Sequence, residues 1–235
     1  EQIENQIKQL ENAAEQKQQF IDNFSHELRI PLTAIYGYAE YIQKALLSEE
    51  ERYECTQFIM SECSRLQNMA YQFLDMALLR KDEIKDSNCS VKELFTESEK
   101  GMHIRASEKK IKLTYVLSQD YIIKGNMEQL LILINNLIDN AIKASRQEDE
   151  IRISAYLEES ALAVEVEDHG IGIEKEQISH IKEAFYRVDK ARSRAAGGAG
   201  LGLAICEKIV QIHHADMLFI SELGVGTTVK LLFPV

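Results

Sequence analysis

The sequence predicts two architectures in series: a long helical hairpin, then an α+β domain with helices on one face of a mixed sheet. Three observations predict them. Apolar residues between Ile3 and Leu28 recur in steps of four and three. Only Pro31 and Gly37 punctuate the chain before residue 100. From Ile111 onward, the pattern becomes short alternating segments broken by turn residues.

Taken in order, Ile3, Ile7, Leu10, Ala14, Ile21, Phe24 and Leu28 form a coiled-coil seam with Lys17 as a single interruption. Helix is expected to continue through IYGYAEYIQKALL to about Leu47. Ser48 followed by Glu51 is a capping-box signature and predicts a restart. The second helix then carries Ile59, Leu66, Met69, Phe73 and Met76 to about Leu79. One hairpin cannot enclose its own apolar stripe, so a dimeric four-helix bundle, hence a homodimer, is expected. The polar run RKDEIKDSN marks a boundary, dividing the chain into a coiled-coil helix at 1–19, a hairpin at 20–86 and a second domain at 87–235. There IKLTYVL, EIRISAYL, ALAVEVED, MLFIS and TTVKLLF read as strands, with MEQLLILINNLIDNAIKAS and LGLAICEKIVQIHH as the two helices between them.

Composition narrows the function. With 45% hydrophobic and 28% charged residues among 235, a folded core is available. No apolar run approaches the roughly 20 residues needed to span a bilayer, and EQIENQIKQL lacks the parts of a signal peptide, so the chain is expected to be soluble. Cys55, Cys63, Cys89 and Cys206 form no CxxC pair, which suggests neither disulfides nor zinc and fits a reducing cytoplasm. A net charge of −11 argues against nucleic acid and anionic membrane surfaces as partners. Phosphate chemistry would need a local basic patch.

His26 falls between seam positions and is expected to be exposed. Alone it is an ordinary solvated side chain, but Glu27 beside it can orient the ring or accept its Nδ1 proton, leaving Nε2 nucleophilic. Pro31 removes an N–H and frees the Glu27 carbonyl, a defect of roughly 3 kcal/mol in a helix interior. Ile30 stands where HExxH would need its second histidine, which disfavours a zinc site.

In MEQLLILINNLIDNAIKAS, Leu130, Ile134, Leu137 and Ala141 share one side and Asn136, Asn140 and Lys143 the other. Two amides and an ammonium on one stripe suit a hard cation and phosphate. EVEDHGIGI ends in Asp168, a carboxylate acceptor for an exocyclic amino group, with Gly170 and Gly172 leaving room for a flat base; a plain glycine turn is the alternative. GGAGLGL brings Gly197, Gly198, Gly200 and Gly202 to a helix start, where backbone N–H groups can meet phosphate. Arg187, Lys190, Arg192 and Arg194 just before it supply the basic patch, and together they read as a lid. In ELGVGTTVKLLF, Thr227 either faces the nucleotide or simply follows a β-turn.

As a set, these strings resemble the sensor histidine kinases of two-component signalling across nearly the whole chain. FSHELRIPL resembles the H box, NLIDNAIKAS the N box, DHGIGI the first glycine box, EAFYR the F box, GAGLGL the second glycine box and GVGTTV the last. The resemblance implies a signalling helix, a dimerisation and phosphotransfer hairpin, and an ATP-binding α/β sandwich of the GHKL (Bergerat) type, related to gyrase, Hsp90 and MutL. It implies a protein-histidine kinase using ATP and Mg2+, with a response regulator receiver as partner and a membrane-anchored receptor upstream. His26 would be the phospho-acceptor, Glu27 its base, Asn140 the magnesium ligand, and Asn136 and Lys143 supporting contacts. Asp168 would bind the adenine amino group, with Gly170 and Gly172 shaping its pocket. Gly198, Gly200, Leu201 and Gly202 would close the phosphate side, and Tyr186 and Arg187 would steady the lid or the γ-phosphate. Two departures stand out: Ile30 replaces the threonine or asparagine common four residues after the histidine, implying weak phosphatase activity, and Ala199 replaces a common hydroxyl residue. The alternative is a GHKL ATPase or serine kinase whose hairpin only dimerises, which leaves the His26-Glu27 pair and Pro31 unexplained.

Overall fold

The computed structural model describes residues 2–79, 87–188 and 200–234. Two compact units divide after Phe73, the first made of long helices and the second containing the sheets.

In the first unit, α1 spans Gln2–Lys44 and α2 begins at Glu49, running to Leu78. Phe24 stacks on Phe73 at 4.3 Å and Tyr38 meets Phe58 at 4.3 Å, so partners run in opposite directions and the pair is an antiparallel hairpin. Pro31 lies inside α1, which continues past it. The helix stops at Lys44 rather than at Leu47, and the capping box explains why. Ser48 N and Oγ both donate to Glu51 Oε2 at 2.8 Å, and Glu51 N returns a bond to Ser48 Oγ at 3.2 Å. An N-cap needs non-helical backbone, so the chain must leave α1 before Ser48.

The second unit contains β1 (Ser87–Ser90), α3 (Val91–Glu108), β2 (Lys112–Leu117), β3 (Ile122–Gly125), α4 (Met127–Ala144), β4 (Glu150–Glu158), β5 (Ala161–Asp168), α5 (Lys175–Ile178), α6 (Gly202–Ile212), β6 (Asp216–Glu222) and β7 (Gly226–Pro234). Five strands form a mixed sheet in the order β2-β4-β5-β7-β6, with β2 and β4 parallel and the other neighbours antiparallel. A separate antiparallel pair, β1 with β3, lies outside it. Burial alternates along β4, so one sheet face is covered, and α4 packs against both β4 and β5.

The core comes mainly from α4 and α6. Leu130, Leu133, Ile134 and Ile138, with Ile205 and Ile209, are essentially inaccessible, as are Ile151, Ile153, Val164 and Leu231 of the strands. Each such side chain contributes about 1.5–3 kcal/mol of burial free energy. The sequence pattern missed β1, β3 and α3. The helix had a legible start, because Ser90 caps it by accepting Glu93 N at 3.1 Å, an S-x-x-E signature. The strands are four residues long, too short for alternation to register.

Candidate functional site

Two places carry the predicted residues, one in each unit. On α1, His26 is exposed, in keeping with its place between seam positions. Glu27 is half-buried and turned to α2, where Arg65 Nη2 donates to its Oε2 at 3.2 Å. Ile30, one turn beyond His26, is also half-buried, and Pro31 is buried. Sequence periodicity could not nominate Arg65, which sits 38 positions from its partner.

The second place is built on α4. Its apolar side is buried at Leu130, Ile134, Leu137 and Ala141, which leaves Asn136, Asn140 and Lys143 half-exposed on the opposite side. Asn136 Nδ2 donates back to Ile132 O at 2.9 Å, keeping its amide oxygen directed off the helix backbone bond. Lys143 Nζ lies 2.7 Å from Asp139 Oδ2, and Arg105 holds the other oxygen of that carboxylate at 2.6 Å. The lysine is therefore presented within a charge network rather than alone.

Both ends of α4 are clamped. Asn126 caps the N-terminus, accepting from Glu128 N and Gln129 N at 2.9 and 3.2 Å. His213 Nε2 accepts from Asn126 N at 3.2 Å, while its Nδ1 meets Ile209 O at 2.8 Å. The ring is thus neutral, with its proton on Nδ1, and burial holds its pKa below the ordinary value. At the C-terminus, Lys109 Nζ bonds the carbonyls of Ile142, Lys143 and Ser145 at 2.8, 3.3 and 3.4 Å, a cation on the negative end of the dipole.

Asp168 ends β5 beside that C-terminus, opposite Thr227 of β7, and is 8% exposed. Gly170 N donates to its Oδ1 at 2.9 Å. Burial pushes the Asp168 carboxyl above the usual carboxylate range, against the pull of the Gly170 and Thr227 backbone N–H groups. Chain approach explains the glycines. A Cβ on Gly170 would lie 2.5 Å from Ala144 O, and one on Gly226, whose φ is +143°, would lie 2.1 Å from Asp168 O. Gly172 packs on the Glu222 carbonyl in the same way. Ser221, which sequence reasoning missed, knits the floor: its Oγ bonds Ile173 N at 2.8 Å and Thr227 Oγ1 at 2.8 Å.

Beyond this cluster, Tyr186 is half-buried with its hydroxyl on Gln177 Oε1, and Arg187 is also half-buried. Gly200, at φ +75°, packs against the Phe185 backbone, and Phe185 N donates to its carbonyl at 2.8 Å. Leu201 is fully buried and precedes Gly202, the first residue of α6, whose N-terminus has no side-chain cap. A helix start without a side-chain cap is a place where N–H groups can meet an anion. Gly197, Gly198, Ala199, Lys190, Arg192 and Arg194 lie outside the described residues.

Chemically, a recessed carboxylate walled by backbone suits a flat base bearing an amino group, and an amide-bearing helix face with an uncapped helix start suits phosphates. Among the described residues no three His, Cys, Asp or Glu side chains form a metal cluster. A divalent cation here would take one amide oxygen from Asn140 and fill its shell with water and phosphate oxygens, the habit of Mg2+. Among the described residues no helix is long and apolar enough to cross a membrane.

Comparison with known proteins assigns a domain family to the stretch of chain that carries each place. Residues 16–81 match the His Kinase A (phospho-acceptor) domain, and residues 125–235 match the Histidine kinase-, DNA gyrase B-, and HSP90-like ATPase family. The signal transduction histidine-protein kinase ArlS of Staphylococcus aureus is 32% identical over 241 residues, covering 97% of this chain and 51% of that protein. The chain thus spans about half the length of the curated relatives it matches. Among solved structures, Acinetobacter baumannii histidine kinase AdeS superposes with a TM-score of 0.69 at 18% identity, over 89% of this chain and 97% of that one. Histidine kinase ThkA, solved in complex with response regulator protein TrrA, gives 0.73 at 20% identity over 96% and 66%. At such identities the two structures speak to the fold.

Proposed function

This chain belongs to the sensor histidine kinases, carrying their phospho-acceptor and ATPase-type domains in series, and we propose that it phosphorylates His26 from ATP and passes the phosphoryl group to an aspartate of a response regulator. The observation that carries the proposal is the exposed imidazole of His26 within the phospho-acceptor match, on the same chain as the recessed Asp168 site.

In this proposal residues 1–19 are a signalling helix, 20–86 the dimerising phosphotransfer hairpin and 87–235 the ATP-binding domain. The hairpin pairs with a second copy into a four-helix bundle, and the whole protein is a membrane-associated receptor acting in the cytoplasm. Asp168 accepts a hydrogen bond from the adenine amino group, with Gly170, Gly172 and Thr227 lining the base. The start of α6 at Gly200, Leu201 and Gly202, together with Gly198, receives phosphate oxygens, and Tyr186 and Arg187 support that side. Asn140 would hold Mg2+ through its amide oxygen with Asn136 in support, Lys143 would meet phosphate oxygens, and the ion when bound would neutralise phosphate charge.

The reaction follows from positioning. Neutral imidazole, with its proton on Nδ1, attacks the γ-phosphorus through Nε2; an N–P bond forms, the bond to ADP breaks, and Glu27 accepts the Nδ1 proton. Single-turnover labelling with ATP should give phosphoprotein that is acid-labile and alkali-stable, and His26→Gln should abolish it. Label that is acid-stable, or that survives in His26→Gln, would support a serine kinase instead. Ile30 offers no hydrogen bond to a water attacking the phosphorylated regulator, so dephosphorylation is weak. Ile30→Thr should raise the regulator's dephosphorylation rate by about tenfold, one hydrogen bond's worth; an unchanged rate refutes that part.

A further inference from the structure

Arg65 is only 5% exposed, a state arginine rarely adopts unless paired. Its guanidinium bridges two carboxylates: Nη2 lies 3.2 Å from Glu27 Oε2 on α1, and Nη1 lies 3.5 Å from Glu62 Oε2 one turn away on α2. Both acids are 17% exposed. The cation therefore reaches across the hairpin to the acid contiguous with His26.

A glutamate at the surface samples many rotamers, and ordering one costs up to about 2 kcal/mol of side-chain entropy. Arg65 removes that freedom. The guanidinium is planar, charged at every working pH and itself buried, so it forms a fixed anchor where a lysine would be a mobile point charge. Glu62 Oε2 takes no hydrogen bond among the described residues, so its 3.5 Å ion pair leaves the bond across the hairpin to determine where the Glu27 carboxylate lies. A base must be placed before its pKa matters, because proton transfer needs hydrogen-bond reach.

We propose that Arg65 is a positioning residue for autophosphorylation, fixing Glu27 so that its carboxylate receives the Nδ1 proton of His26 as Nε2 takes the γ-phosphoryl group from ATP and ADP departs. This rests on His26 as phospho-acceptor and Glu27 as its base. It adds a requirement that the two helices keep their packing while the transfer occurs, because the base on α1 is held by a side chain on α2.

The test is single-turnover autophosphorylation of the full chain carrying Arg65→Gln, Arg65→Lys, Glu62→Gln, Glu27→Gln and the Arg65→Gln/Glu27→Gln pair, each checked for melting temperature and mass in solution. Arg65→Gln is expected to lower kcat about tenfold, a fraction of the 10²–10⁴ a general base supplies, with KM for ATP unchanged. Arg65→Lys should restore part of the loss, Glu62→Gln should stay within about twofold of wild type, and in the Glu27→Gln background Arg65→Gln should change nothing further. A kcat at or above wild type in Arg65→Gln overturns the proposal, as do additive effects with Glu27→Gln or a loss in Glu62→Gln equal to that in Arg65→Gln. If Arg65→Gln does not fold, Arg65→Lys takes its place in the same cycle: a loss confined to the Glu27 background is expected, and an equal loss in both backgrounds overturns it. Absence of phosphohistidine in the wild type would instead sink the proposed function itself.

Discussion

Helices α1 and α2 leave Ile21, Leu32, Tyr36, Tyr41, Leu74 and Leu78 exposed, whereas α4 and α6 turn Leu130, Leu133, Ile134, Ile205 and Ile209 into a closed core against the sheet. Two long helices offer two contact stripes to each other and keep the rest of their apolar surface outside. A sheet offers a whole face. The sheet domain therefore closes a core within one chain, though Ile122, Ile220 and Leu223 stay exposed there, while the hairpin keeps a larger share of its apolar surface outside, which in the proposed dimer a second copy covers. The same contrast separates their chemistry: His26 stands on a surface, and Asp168 sits in a backbone-lined recess.

The largest effect should come from breaking the hairpin's outer surface. Leu32→Glu with Tyr36→Glu is expected to halve the mass measured by light scattering and to abolish the dependence of the hairpin's melting temperature on protein concentration that a dimer shows, with the sheet domain's own transition unchanged. A dimer of full mass would show that the exposed apolar residues serve something else.

Asp168→Asn sharpens the recessed side. If Asp168 accepts from the adenine amino group as proposed, losing that charged acceptor should cost about 2 kcal/mol, or about 30-fold in nucleotide affinity by titration calorimetry. Stability should move the other way. Because the folded pKa of Asp168 is raised, its contribution to stability is fully present below the unfolded value and is lost as pH rises through the folded one. At neutral pH the charge is a burden, so the asparagine variant without nucleotide should melt no lower than wild type. A lower melting temperature would mean that the bonds from Gly170 and Thr227 outweigh burial.

His213 provides the smallest and most local test. Its folded pKa is lowered, so its stabilising effect is present above the unfolded value near 6.5 and is lost as pH falls below it toward the folded value. Protonation would also remove the acceptor for Asn126 N at the start of α4. Melting of the sheet domain should weaken between pH 7 and 5, more than in His213→Gln, while the hairpin transition lacks that component. Equal acid sensitivity in the variant would assign the effect elsewhere.

How much of this was legible depended on range along the chain. The capping box of Ser48 and Glu51 and the amphipathic stripe of α4 each repeat within one or two helical turns, and both stand in the structure as their spacing predicts. The boundary strands β1 and β3 were not legible, since each is four residues long and pairs across the whole of α3 and β2. The glycines were legible as special, but not why. Gly170 is required by the carbonyl of Ala144 and Gly226 by that of Asp168.

By itself the sequence determined which residues share a helix face, where the helices start, that His26 points outward, and that Asp168 ends a strand at a glycine turn. These are properties of 3.6-residue and two-residue periods and of local caps, encoded within a few positions. Only the tertiary structure decided that Arg65 meets Glu27, 38 residues away, and that His213 clamps Asn126, 87 residues away. Such meetings depend on loop closure and strand register, and no local period carries information about which distant side chain the folded chain brings near.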